Sequence, residues 1–128
     1  MYKFLLGRFC TRTPTTIHHR GGRMSDKTIR EKQINILGQD YTVKFENTRT
    51  DEVLKQCDGE CRWYKKEIII DDELEENKHH VIKHEIIHAF LAESGLKRYR
   101  EDELIVDWIA WNIEKIQKVI DEVTNNDR

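Results

Sequence analysis

Two patterns of apolar positions run along this chain. In its first half, Ile34-Asn35-Ile36-Leu37 and Tyr41-Thr42-Val43-Lys44-Phe45 alternate on either side of Gly38-Gln39-Asp40. Period-two alternation around a glycine turn predicts a β-hairpin. Arg62-Trp63-Tyr64 and Glu67-Ile68-Ile69-Ile70-Asp71 predict one or two further strands around Lys65-Lys66. The β-branched run at 68–70 suits a sheet position with both faces covered. Charged residues 26–33 read as a helical or irregular lead-in, 49–56 as a short helix with Val53 and Leu54 as its apolar contacts, and Cys57 to Cys61 as a loop.

In the second half the period changes to that of a helix. Val81, Ile82, Ile86, Ile87, Phe90 and Leu91 predict a helix over about 77–93, stopped by Gly95. Leu104, Ile105, Trp108, Ile109, Ile113, Ile116, Val119, Ile120 and Val123 predict a second helix over about 100–123 with these residues on its apolar side. Trp108 is expected in the core, with Trp111 covering its edge. The acidic stretch 71–76 reads as a solvated loop and helix start, and 125–128 as a polar tail. A sheet followed by two helices is an α+β arrangement.

With 128 residues the chain has room for one domain and a modest core. Its 36% charged residues are many, but the long periodic segments exclude a disordered chain. A net charge of −2 gives no electrostatic case for direct nucleic-acid binding. Residues 1–23 hold Lys3, Arg8, Arg12, Arg20 and Arg23 and no acid, so this +5 segment leaves −7 on the rest. With Pro14 and Gly21-Gly22, and ending before Met24, it reads as a flexible basic leader outside the fold, which would occupy 24–128. Its apolar Phe4-Leu5-Leu6 is too short for a signal-peptide core, and no run approaches a membrane span. Three cysteines, an odd count with no signal peptide, point to the reducing cytoplasm. Cys57-Asp-Gly-Glu-Cys61 reads as a turn rather than half of a metal site, since no second cysteine pair exists.

The first helix carries the chemistry. His84 and His88 are four residues apart, which puts both imidazoles on one face, one turn apart. Two neutral imidazoles so placed suit a tetrahedral zinc ion. Glu85 can reach a water on the metal without being a ligand. The intervening Ile86-Ile87 and the following Ala89-Phe90 are apolar, and no proline interrupts the stretch. That matches the extended His-Glu-x-x-His pattern of zincin metallopeptidases, in which one helix face holds metal and the remainder is buried. A third ligand must come from elsewhere. Leu91 and Ser94 stand where a metzincin has glycine and histidine, which leaves the acids Glu93, Glu101, Asp102 and Glu103. Glu93 is too near, on the same helix and off the metal face. Glu103 is favoured because Asp107, one turn on and among apolar residues, is placed to hydrogen-bond a ligand histidine and fix its tautomer, the arrangement gluzincins use.

These residues resemble the ImmA/IrrE family of small metallopeptidases, common in phages, prophages and mobile elements. Glu103-Leu-Ile-Val106-Asp107-Trp-Ile109-Ala110 is similar to that family's Glu-x-x-Ala-Asn-x-Phe-Ala motif, with Val for Ala, Asp for Asn and Ile for Phe. The resemblance spans roughly residues 65–112. It implies a minimal zincin-like domain, with a small sheet before two metal-binding helices, acting as a cytoplasmic zinc endopeptidase. Its substrate would be a protein or peptide, and some members of the family cleave a DNA-binding repressor. His84, His88 and Glu103 would hold Zn2+ and Glu85 would act as the base. Ile68–Ile70 is expected beside the cleft, free to pair with an extended substrate by β-addition. Tyr64, Tyr99, Arg98 and His80 are candidates for the oxyanion, with His80, four residues before His84, read rather as a surface residue or one behind the ligands. Two other readings are a non-catalytic protein whose zinc ties the helices together, and a metal-free interaction protein binding through its tryptophan-bearing helix.

Overall fold

The computed structural model describes residues 30–125. The basic leader, the start of the lead-in and the last three residues of the tail lie outside them. β1 (Arg30–Ile36) and β2 (Gln39–Glu46) form the expected hairpin. Its turn is Leu37-Gly38, one residue earlier than the glycine signal suggests. Both residues have positive φ (51° and 93°), as a two-residue type I′ connection requires. Leu37 is held there because the Asn35 side chain accepts from Gly38 N–H at 3.0 Å and donates to Asp40 at 2.8 Å. Residues 30–33, expected as lead-in, are strand: their partners on β2 run from Phe45 to Thr42.

A 3₁₀ turn, Glu52–Lys55, follows, capped by Asp51 and anchored by fully buried Leu54. β3 (Gly59–Arg62) then pairs antiparallel with β4 (Glu67–Asp71), and β4 pairs parallel with β2. The sheet order is β1-β2-β4-β3, so β4 is interior and β3 is an edge. Ile68–Ile70 therefore has both neighbours already, and the expectation that it lies free beside a cleft is corrected: its backbone groups are committed to β2 and β3.

α1 (Lys78–Glu93) lies on β3, β4 and β1, and α2 (Glu103–Asn125) packs on α1. The architecture is thus α+β, a four-stranded mixed sheet followed by two helices. One core joins Ile36, Tyr41, Val43, Ile68 and Ile70 of the sheet to Val81 and Ala89 of α1. Gly59 permits the close approach of β3 to α1. A Cβ there would lie 2.8 Å from Val81 Cγ1, 3.1 Å from Ile69 O and 3.2 Å from Glu85 Cγ.

Two expectations about the helices are corrected. On α1 the buried set is His80, Val81, His84, Glu85, His88 and Ala89, while Phe90 is exposed. On α2 only Val106 and Ala110 are buried. Trp108 is half exposed rather than core, because its side of α2 points away from α1. No helix among the described residues is long and apolar enough to cross a membrane.

Candidate metal centre

Burial of His80, His84, Glu85 and His88 is costly, since each gives up water for a low-dielectric interior. An inward-facing polar stripe on a helix this deeply packed needs partners, and α2 with the loop before it supplies them. The helices run antiparallel, so His88, His84 and His80 meet Glu103, Asp107 and Trp111 in turn.

His84 Nδ1–H donates to Asp107 Oδ1 at 3.2 Å. His88 Nδ1–H donates to the backbone carbonyl of Arg100. Both Nδ1 protons are thereby used, and each neutral imidazole keeps only its Nε2 lone pair for the interior. Those two Nε2 atoms face one another at 3.2 Å. Glu103 joins them, with Oε1 2.7 Å from His84 Nε2 and Oε2 3.3 Å from His88 Nε2. Three electron-rich atoms in such contact repel unless a cation lies among them. A proton can serve, and so can a metal ion. His84, His88 and Glu103 form one group able to hold a metal, and His80, His84 and Asp107 form another.

Without metal, the protons answer this crowding. At His88, burial acts to lower the pKa, but the Glu103 hydrogen bond, the Glu85 and Glu103 charges and the Arg100 carbonyl prevail and raise it to about 9. At Glu103, burial acts upward, but hydrogen bonds and charge from the two histidines hold the carboxyl down at about 2. Glu85 is raised to about 7 because burial outweighs the pull of His88 and His84. It can therefore both take and give a proton near neutral pH. The Glu103 side chain is 28% exposed, so the group is open to solvent on that side.

All five residues singled out in the sequence come together here: His84, His88 and Glu103 at the centre, Glu85 beside them, Asp107 behind His84. The other acids do not. Glu93 accepts from the Tyr41 hydroxyl at 2.7 Å and pairs with Lys66. Asp102 accepts from Ile105 N–H at 3.1 Å, capping α2. Cys57 is engaged in a disulfide, unlike the reduced thiols expected. Cys61 is a free thiol pushed well above its ordinary pKa, first by burial. Among the described residues neither cysteine belongs to a metal-capable group.

Two further residues complete the centre, of which His80 is signalled by its spacing before His84 and Arg100 is not. Arg100 acts through its carbonyl, which leaves no side-chain signature; its guanidinium stacks 3.9 Å over Trp63, tying the loop down. His80 donates through Nε2–H to Asp107 Oδ1 at 2.8 Å and stacks on Trp111 with 4.1 Å between centroids. Its spacing before His84 was the available signal. Comparison with protein-family models, with curated proteins and with solved structures found no match.

Proposed function

We infer that the protein is a zinc-dependent endopeptidase of minimal zincin type, with His84, His88 and Glu103 as ligands and Glu85 as the general base. The observation that carries this reading is the convergence of two Nε2 atoms and a carboxylate, with both Nδ1 protons already committed elsewhere. Tetrahedral zinc with ligands at about 2.0–2.1 Å needs ligand atoms about 3.3 Å apart. The 3.2 Å and 3.3 Å separations suit it, and the 2.7 Å contact of Glu103 Oε1 with His84 Nε2 is shorter. Two nitrogens and one oxygen also suit zinc as a donor set and leave a fourth position open.

When bound, zinc would polarise the scissile carbonyl and make water acidic enough to attack near neutral pH. Glu85 takes the proton from the attacking water and delivers it to the leaving amine. Asp107, itself held by His80, keeps the His84 ring in the tautomer a ligand needs, and the Arg100 carbonyl does so for His88. β3, the sheet edge packed against α1, offers its outer backbone groups to an extended peptide. The substrate is a protein or peptide. A DNA-binding repressor in the cytoplasm of a phage or prophage host is the partner suggested by the ImmA/IrrE resemblance.

The test is zinc per chain together with cleavage of an unfolded protein substrate. About one zinc is expected, with much weaker retention in Glu103→Ala. Glu85→Gln should keep zinc and lose cleavage by several orders of magnitude. Cleavage at the parent rate in Glu85→Gln would rule out Glu85 as the base. Failure to bind zinc on reconstitution would end the peptidase reading. Zinc without cleavage would leave the metal as a tie between the helices.

A further inference from the structure

α2 outruns the helix it packs on. Near the start of α1, His79 and Lys83 both reach Glu114. From Ile113 to the last described residue, Asn125, every residue is exposed. Residues 115–125 therefore extend about 16 Å beyond the contact at 1.5 Å per residue. A lone three-turn helix is marginal in water. This one also carries exposed Ile113, Ile116, Val119, Ile120 and Val123, from 42% to 62% accessible.

The apolar positions form a stripe along the whole helix: Ile105, Ile109, Ile113, Ile116, Ile120, Val123. From Ile109 onward the steps are four, three, four and three, the seam spacing of paired helices. About a midpoint between residues 114 and 115 the stripe mirrors itself, Ile113 with Ile116 and Ile109 with Ile120. The positions flanking its exposed half are Asn112, Val119, Gln117 and Thr124, all uncharged, while Glu114, Lys115, Lys118, Asp121 and Glu122 lie on the other side. Along that half a second copy would thus meet no like charge at the flanks of the seam. The exposed apolar area of two such stripes is on the order of 1,000 Å² in total, about what a specific interface requires.

We propose that α2 pairs antiparallel with α2 of a second copy of this chain, forming a two-fold homodimer along the Ile105–Val123 stripe. Each overhang then covers the half-exposed stripe on the partner's α2 and is covered in return. An antiparallel two-fold pair matches the mirrored spacing, and an isologous contact is the commonest form of self-assembly.

The experiment is analytical ultracentrifugation of the full chain over a wide concentration range. The expected mass is twice the 15.4 kDa of one chain. Ile113→Glu and Ile116→Lys, each alone, should sediment as monomers with zinc content and sheet signature unchanged, because both sites are exposed and remote from the metal ligands. Mixed together they should form a heterodimer, since antiparallel pairing sets 113 against 116. Lys118→Glu, on the far side, should leave the dimer intact. A parent that stays at 15.4 kDa throughout overturns the proposal, whether residues 1–29 or another protein covers the stripe. A dimer that survives Ile116→Lys, or a mixture that fails to pair, overturns it as well. None of these outcomes depends on whether the chain cleaves peptides.

Discussion

Loading the centre with metal should expel a proton. In the metal-free protein His88 has a pKa of about 9, so at pH 7 its imidazole is almost wholly protonated. A metal ligand must offer a lone pair at Nε2, and His88 Nδ1–H stays committed to Arg100. Zinc binding should therefore release about one proton per chain at pH 7. The apparent affinity should rise ~10-fold per pH unit between pH 6 and 8 and level off above pH 9. Calorimetric titration in two buffers of different ionisation enthalpy counts the protons, and competition with a chromophoric chelator gives the slope. The same linkage governs folding without metal. The His88 pKa is higher folded than unfolded, so its stabilisation is complete below its ordinary 6.5 and is lost as pH rises through about 9. The shift corresponds to ~3 kcal/mol. Glu85 acts in the same direction over a lower window. Its carboxyl is raised from 4.5 to about 7, so its contribution is present below 4.5 and is lost as pH rises through about 7. The metal-free Tm should thus fall from pH 6 to pH 9, while the zinc-bound Tm should hold or rise. Binding heat independent of buffer, with affinity flat from pH 6 to 8, would refute the account of the centre as a proton held where a metal belongs.

Asp107→Asn keeps the shape but replaces the carboxylate that accepts from both His80 and His84, so zinc should bind ~10–100-fold more weakly with the helical signature unchanged; equal affinity would mean that Asp107 does not orient His84. Gly59→Ala forces a methyl against Val81 Cγ1 at 2.8 Å and the Ile69 carbonyl at 3.1 Å, and should cost ~1–3 kcal/mol in chemical denaturation. An unchanged midpoint would show that β3 can move off α1 freely.

The elements best read from the sequence are those whose period is long and uninterrupted. α1 lies within one residue of its expected bounds, and Gly95, at φ 79°, supplies the left-handed residue that ends it. α2 begins three residues later than expected because Asp102 caps it. The strand expected at Arg62-Trp63-Tyr64 lies instead at Gly59–Arg62, with Trp63 and Tyr64 in the turn, because Asp58-Gly59 carries a turn signal while Gly59 is needed as a strand residue with no Cβ beneath a helix. Residues 30–33 were hidden because a hairpin arm whose side chains are mostly solvated has no apolar alternation to show. Helical spacing located His84, Glu85 and His88, and the apolar setting of Asp107 marked it as a residue with a partner. The Arg100 carbonyl could not be read, because backbone donors and acceptors are the same at every position but proline.

The helical period also reports only that a face is apolar, never what covers it. On α1 the period of Ile and Val suggests an oily inner face, yet the buried residues include three histidines and a glutamate. On α2 the same signal suggests a core helix, yet nearly all of its apolar residues face outward. Both departures share a cause. Because α1 turns its histidines toward α2, the contact between the helices is built from Glu103, Asp107, Trp111 stacked on His80, and the small residues Val106 and Ala110. That leaves the isoleucines and Trp108 of α2 on the side away from α1. An inter-helix seam committed to holding charge leaves little room for the large aliphatic side chains. Among the described residues, α1 already takes the place on the sheet, so the apolar side chains that the seam displaces stay exposed along α2.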